Sequence, residues 1–532
     1  MENFDCVVVG AGWYGLAAAQ QFHYTQPDRS LAIFDSHLRS NNLLGTFEYL
    51  GFPMTSDRFD VKPDDHIKGA TIHSYLKAYA EHSRIADLIR PNHTVVSAEH
   101  QVTSQGGWVL TIATPSKGEV KVFARQLILA TGLTSRAFVP HFFGQEDLAT
   151  ANAVAIFGAR KFTWDAVHAY ATAGVKVHWV PHATPTKIRT ETLANTYTRL
   201  VSWFSPCIWG NVHGYGFIRR FLHATAVDTA KLKPWTDAMF TGASLSILNY
   251  EQDIYSLVKS GLVNVCIDEI DHLSAGKVHL ASGTVLSSDV LVAYTGWNHV
   301  PNVKLLPEGI EVELGAPYSP ADYSPAQLAD QQALVEKADE GKSLGRDENE
   351  ILLQFPRLKR QPVWNANYKP MTEQKGISSR AEVTPCTPQT PYMLHRFLVP
   401  ASPQFLRTRD IAFAVMLSNT SNAITAHISG LWISAFFAGK LGRESSTLSS
   451  SPDASRGRTL QYETVLYNRW GMWRYPTDWG NKRLDWVFDN VPYFDLLQKD
   501  LGLNPHRKGV WFAEITQGYG PKDYRGIEDE WM

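Results

Sequence analysis

The sequence predicts an α/β protein built from two nested βαβ units, and three observations carry that prediction. An apolar run, Phe4 to Val9, breaks into Gly10-Ala11-Gly12-Trp13-Tyr14-Gly15 and continues into a helix-favouring stretch from Leu16 to Gln21. A second apolar run, Asn152 to Phe157, ends in Gly158 and leads into another helical stretch. Each unit is followed, further along, by an apolar strand that ends in Thr-Gly: Ala130-Thr131-Gly132 after the first and Tyr294-Thr295-Gly296 after the second.

The first unit has the full spacing of a dinucleotide site. Gly10 permits a tight turn after the strand, Gly12 leaves the backbone open to a pyrophosphate, and Gly15 lets helix and strand pack closely. A diphosphate placed there meets the free N–H groups and the positive dipole end of the helix. The next apolar strand, Leu31 to Phe34, ends in Asp35. That acid stands about 20 residues beyond the glycines, where a carboxylate meets ribose hydroxyls. Ala130-Thr131-Gly132 closes the strand Gln126 to Leu129, and small residues at a strand end let the chain pass close to a cofactor. The fold class expected is therefore α/β, with two nested Rossmann-like dinucleotide-binding domains and additional helical and C-terminal segments.

The second unit is less regular. Ala159 to Ala173 reads as a helix and Val175 to Val180 as the next strand. Its loop runs Gly158-Ala159-Arg160-Lys161, with Arg160 where the second glycine belongs. A side chain at that place obstructs close backbone approach to a pyrophosphate, whereas a guanidinium pairs with phosphate. From these residues alone, nucleotide binding and a purely structural unit both stay open.

Composition narrows the remaining classes. With 44% hydrophobic and 19% charged residues the chain is globular, and 532 residues exceed one ordinary core. The expected division is 1–150 and 301–445 for the first domain, 151–300 for the second, and 446–532 for an extension packing on the core. A formal net charge of -2 gives no electrostatic reason to expect nucleic acid. Cys6, Cys207, Cys266 and Cys386 are scattered, which argues for a reducing compartment and against a disulfide framework or zinc site. The first strand begins at once, so no signal peptide is expected. Ile411 to Leu441 carries Ser418, Asn419, Asn422, His427 and Lys440 and reads as a buried helix, not a membrane span. A cytoplasmic protein is the expectation. Pro317 to Arg346 reads as exposed helix and the Ser-rich Ser445 to Ser455 as a mobile loop. No Gly-x-Ser-x-Gly elbow and no His-Glu-x-x-His pair is present, which disfavours a classical hydrolase and a metal site.

The order of glycine loop, Ala-Thr-Gly, second glycine loop and Thr-Gly-Trp resembles the flavin-containing monooxygenases. Longer blocks are similar to the FAD-dependent monooxygenases of fungal secondary metabolism. They include Asn41 to Tyr49, Phe52-Pro53-Met54, Trp203 to Gly210, Leu245 to Tyr250, Asn468 to Pro476 and Tyr519 to Gly526. The resemblance implies a reaction in which NADPH reduces FAD, reduced FAD takes up O2, and a C4a-(hydro)peroxyflavin transfers one oxygen atom to a small organic substrate, a polyketide among the options. It also implies roles for residues. Gly10, Gly12, Trp13, Tyr14 and Gly15 line the FAD diphosphate, Asp35 the adenosine ribose, and Thr131-Gly132 the closing strand. Gly158, Arg160, Lys161, Thr295 and Gly296 line the NADPH site. Leu38-Arg39-Ser40-Asn41 matches the family's Leu-x-Thr-Asn element with Ser for Thr, which makes Asn41 the candidate catalytic residue. An amide both donates to and accepts from a peroxide. Ser421 to Gly439 matches the last FAD-domain helix, whose N-terminus opposes negative charge on the reduced ring.

The chain departs from the family at three places. The Gly-Gly-x-Trp segment between the acidic strand end and the Asn block is absent, since Asp35-Ser36-His37-Leu38 runs straight on. No histidine follows Phe142-Phe143-Gly144 before Asn152. Pro181-His182 stands where a basic residue meets the 2′-phosphate of NADPH, with Lys187 and Arg189 further along. Two other readings therefore stay open: a flavoprotein oxidase or dehydrogenase that does not use NADPH, and a non-catalytic descendant that keeps the scaffold.

Overall fold

The computed structural model describes residues 1–35, 42–43, 48–61, 66–67, 69–102, 106–133, 136–137, 151–158, 161–181, 254–294, 297–298, 302–319, 322–324, 326, 328–329, 333, 390–414, 416–419, 421–442, 454–474, 484–486 and 489–532. Strand β1 (Glu2–Val9) sits inside the larger sheet. Cys6 and Val8 point into one core, Val7 and Val9 into another. A strand buried on both faces is apolar at successive positions, which is why the sequence shows a run and not an alternation. Helix α1 (Trp13–Thr25) crosses to β2 (Leu31–Asp35), which pairs in parallel with β1. Helix α2 (Gly69–His82) and β3 (Ile89–Pro91) extend this unit, β3 joining the far side of β2. An antiparallel meander follows: β4 (Thr94–His100), β5 (Trp108–Thr114) and β6 (Gly118–Leu129). The first half of β6 pairs with β5, and its second half continues in parallel beside β1.

The second unit repeats the plan at smaller scale. Its elements are β7 (Ala153–Phe157), α3 (Lys161–Thr172), β8 (Lys176–Val180), α4 (Ile254–Lys259) and β9 (Val263–Val265). The small antiparallel strands β10 (Ile270–Ser274), β11 (Lys277–Leu280) and β12 (Val285–Ser287) lead to β13 (Val290–Ala293). The parallel order is β9-β8-β7-β13. Trp164 packs edge-on against Trp179 in its core. The helix expected over Ala159–Ala173 occupies Lys161–Thr172.

The chain then returns to the first sheet, so one unit is nested inside the other. Strand β14 (Lys304–Leu306) pairs with β4, and β15 (Ile411–Phe413) lies parallel to the end of β6. A two-residue strand, β16 (Leu417–Ser418), precedes helix α5 (Asn422–Ala438). The sequence reading of one helix across Ile411–Leu441 is corrected here. Ile411-Ala412-Phe413 is a short strand paired with β6, and the polar break at Ser418-Asn419 separates it from the helix. Helix α5 is buried on all sides from Ala423 to Phe437, because α1 packs on one flank and the C-terminal extension on another. That extension contains α6 (Ala454–Arg474), β17 (Leu484–Asp485) and α7 (Asn490–Asp500). Most of the Ser-rich stretch, 445–453, lies outside the described residues, as does most of 317–346. Among the described residues no helix is long and apolar enough to cross a membrane.

Candidate functional site: the carboxyl edge of the larger sheet

Register brings the first set of predicted residues into one row. Val9 pairs with Phe34 on one side and Leu129 on the other, and Leu129 pairs with Phe413. The residues one step further, Gly10, Asp35, Ala130 and Ala414, therefore line the carboxyl edge of the parallel sheet. Backbone bonds hold the row: Gly10 N–H to Phe34 O at 2.7 Å, Ala130 N–H to Val9 O at 2.9 Å, and Ala414 N–H to Leu129 O at 2.8 Å. The crevice outside the carboxyl ends of such strands is where open α/β sheets bind nucleotides.

The glycines do different work in this row. Gly10 has φ +108°, and a Cβ there would overlap the Ala130 carbonyl oxygen. A Cβ on Gly15 would overlap the carbonyl oxygen of Gly10 and touch Ala130 Cβ at 3.2 Å. Both are needed for the fold. Among the described residues nothing lies within 4 Å of a Cβ built on Gly12, so none of them fills the space directly ahead of α1. Gly132, φ +71°, likewise meets no atom of the described residues, and Thr131 beside it is half-buried.

Two helix N-termini meet at this edge. The Tyr14 hydroxyl, in the first turn of α1, donates to Asn422 Oδ1, in the first turn of α5, at 2.9 Å. Further along, Thr25 and Ser434 hydroxyls lie 2.5 Å apart, so the helices run parallel and their dipoles point the same way. Neither helix has a side-chain cap or an acidic residue in its first turn. The leading N–H groups of such helices are the ones an anion meets, and here the two positive ends converge. This donor set fits the diphosphate of a dinucleotide, with charge left over for a second electron-rich group at α5.

Trp13 and Tyr14 follow Gly12 at the start of α1. The Trp13 ring is buried, 6% exposed, against Tyr49 and Tyr75, and its carbonyl accepts from the Tyr49 hydroxyl at 2.5 Å. Burial raises the Tyr14 phenol above its ordinary pKa, so it stays a neutral donor to Asn422. The Trp13 ring is packed inside the protein, whereas Tyr14 is partly buried at the start of α1. Asp35 ends β2 half-buried, with its carbonyl accepting from His93 N–H at 3.2 Å. Asn41 lies outside the described residues.

The second unit repeats the row. Gly158 N–H donates to Val180 O at 3.2 Å and Tyr294 N–H to Phe157 O at 2.9 Å. Gly158 has φ +131°, and a Cβ there would meet Thr163 Oγ1 at 2.6 Å and Tyr294 O at 3.0 Å. Its carbonyl accepts from Trp179 Nε1 at 2.9 Å. Lys161 opens α3, its side chain outside the description. Arg160, Thr295 and Gly296 lie outside the described residues. No group of three or more His, Cys, Asp or Glu able to hold a metal occurs among the described residues.

Sequence reasoning missed the groups that fix α5. Asn419 accepts from Ser421 N–H at 3.1 Å and donates to Thr425 Oγ1 at 2.7 Å, shaping the turn ahead of the helix. Arg396 Nε reaches Asp500 Oδ2 at 2.8 Å and its Nη1 reaches Glu463 Oε1 at 2.6 Å. Burial opposes its charge, but the hydrogen bond and charge of Asp500, together with Glu463, outweigh burial and hold the guanidinium above its ordinary pKa. No local sequence signal announces a pair so far apart.

Comparison with known proteins adds the chemistry. No family model matches the chain. It is 26% identical to the FAD-dependent monooxygenase DEP4 of Alternaria brassicicola, across 100% of this chain and 95% of that protein. It is also 26% identical to the FAD-dependent monooxygenase rstn6 of Aspergillus nomiae, across 99% of this chain and 98% of that one. Among solved structures, S-allyl-L-cysteine S-oxygenase from Allium sativum superposes with a TM-score of 0.50 at 12% identity, covering 94% of this chain and 89% of that chain. That likeness concerns the fold.

Proposed function

We propose that this relative of the fungal FAD-dependent monooxygenases is itself an FAD-dependent monooxygenase. FAD lies across the carboxyl edge of its larger sheet, NADPH at the edge of the smaller one, and one oxygen atom from O2 enters a small organic substrate of the secondary-metabolite class. The observation that carries this reading is the Tyr14–Asn422 bond, which joins two uncapped helix N-termini beside the open face of Gly12. Full-length similarity to proteins of that name supports it. Residues 1–150 and 301–445 form the FAD domain in this reading, 151–300 the NADPH domain, and 446–532 an extension against the core.

Bound FAD supplies the redox chemistry, taking electrons from NADPH and passing them to O2. The chain supplies the rest. The N–H groups at the start of α1 hold the diphosphate, and Asp35 accepts from ribose hydroxyls. The N-terminus of α5 opposes negative charge on the ring. We assign Asn41, from its place in the family block, to hydrogen-bond the reacting oxygen. The expected result for purified protein is an oxidised-flavin spectrum that bleaches when NADPH is added without oxygen. A colourless protein that stays colourless with added FAD would overturn the reading. Arg160 in the place of a glycine favours a second reading, an NADPH-independent flavoprotein oxidase. A bound flavin that NADPH does not bleach, but a substrate does, would establish that one instead.

A further inference from the structure

The segment from β15 to α5 is held from two sides by parts of the chain remote in sequence. On one side stands the turn at Arg396-Phe397. Phe397 O accepts from Met416 N–H at 3.3 Å, and Leu398 O accepts from Phe413 N–H at 2.7 Å. On the other side β17 pairs in parallel with β16, and Trp486 N–H donates to Ser418 O at 2.9 Å. Ser418 lies just ahead of Ser421, the N-cap of α5.

The turn is not one its residues would choose. Arg396 and Phe397 have φ of 54° and 61°, in the left-handed region that a Cβ disfavours. Two such residues in succession persist only where the surroundings over-determine them. Here the C-terminal extension does so. Arg396 forks onto Asp500 of α7, Nε to Oδ2 at 2.8 Å and Nη2 to Oδ1 at 3.3 Å, and reaches Glu463 of α6 at 2.6 Å. The Tyr493 hydroxyl donates to Arg396 O at 2.8 Å. Asp500 Oδ2 also accepts from Trp432 Nε1 of α5 at 3.0 Å. One carboxylate therefore joins the turn, α7 and α5. Phe397 is 1% exposed and packs on Trp486 and Tyr493.

We propose that the C-terminal extension, acting through Arg396 as a positioning residue, sets where the N-terminus of α5 sits against the flavin ring and thereby sets the flavin's reduction potential. The dipole effect of a helix end fades within its first turn, so a small shift of that end changes how well negative charge on the reduced ring is stabilised. The inference rests on the FAD reading above.

The test compares wild-type protein with Glu463→Gln and Arg396→Lys, each loaded with FAD, and reads the midpoint potential against a reference dye. Glu463 is the mild variant, because its side chain is 34% exposed and the Asp500 fork survives its loss. Arg396→Lys keeps the charge and loses the fork. Both potentials are expected to fall, Arg396→Lys further, its reduced-to-oxidised ratio by about tenfold, or about 30 mV for a two-electron couple. FAD stays stoichiometric, because the diphosphate seat on α1 is untouched, and amide exchange across 414–421 speeds up while that of β1 does not. Bound FAD at an unchanged potential in both variants overturns the positioning role alone. A wild-type protein that takes up no FAD overturns this inference together with the reading it rests on.

Discussion

At the scale of single residues, the three glycines of the first loop separate folding from binding. A methyl on Gly15 would overlap the Gly10 carbonyl oxygen, whereas a methyl on Gly12 would meet no atom of the described residues. Gly15→Ala should therefore cost about 1–3 kcal/mol of stability through overpacking and lose FAD as a consequence. Gly12→Ala should leave the apoprotein's urea midpoint unchanged and weaken FAD, because its methyl meets none of the described residues and faces the proposed seat of the diphosphate. Urea unfolding of the apoproteins beside FAD titration checks both. Equal destabilisation by the two substitutions would mean that Gly12 faces protein and not cofactor. Tyr14→Phe is a third case. It removes the hydroxyl that joins α1 to α5 and should cost about 0.5–1.5 kcal/mol, visible as a lower urea midpoint.

At the scale of elements, α1 and α5 pack parallel because small residues let them. A Cβ on Gly430 would lie 3.0 Å from Ala17 O and from Ala18 Cα. The other seam of the larger sheet is a buried carboxylate. Asp410, just ahead of β15, accepts from Gly107 N–H at 2.8 Å and from the Thr408 hydroxyl at 2.7 Å, with His100 Nε2 at 3.0 Å. Burial pushes its pKa up, but those three partners outweigh burial and leave it below the ordinary carboxylate value. A lowered folded pKa means stability that is present above the ordinary value and lost as pH falls through the lowered one. Asp410→Asn should cost about 1.5–3 kcal/mol near neutrality and flatten the acid limb below about pH 4. Urea midpoints at pH 7 and pH 3 test this, and an Asn variant with an undiminished acid limb would remove Asp410 from the account. How legible such features were depended on their range. The strand, glycine loop, helix and Asp35 of the first unit are consecutive, so periodicity and turn chemistry expose them. The pairing of Leu417-Ser418 with Leu484-Asp485, the Asp410 seam and the Arg396–Asp500 fork join residues remote in sequence, and nothing in a local window marks one partner for the other. The same limit explains Trp13 and Tyr14. Their place in the loop is legible, but their partners Tyr49, Tyr75 and Asn422 are supplied from elsewhere in the chain.

At the scale of the whole molecule, the nested order lets a late helix complete an early site. Helix α1 is formed by the first residues of the chain, and the N-terminus beside it arrives only after the second unit has been inserted. Two parallel helices with positive ends together repel at that edge until an anion neutralises them. The fold therefore carries an electrostatic cost that a diphosphate relieves, and ligand binding adds to stability by mass action, about 2.7 kcal/mol at a hundredfold excess over Kd. Because the relief comes from the diphosphate, ADP should protect the apoprotein against heat, whereas riboflavin, which has the ring but no phosphate, should not. FAD should protect more than either, because in the proposed seating its ring adds a contact with α5 once the diphosphate has anchored it. Raising the salt concentration should shrink the ADP effect, because the exposed part of the attraction is screened. Thermal melts of apoprotein with each ligand decide the matter. Protection by riboflavin equal to that by FAD, with none from ADP, would move the anchoring contact from the paired helix ends to the ring and remove the reason for keeping both N-termini uncapped.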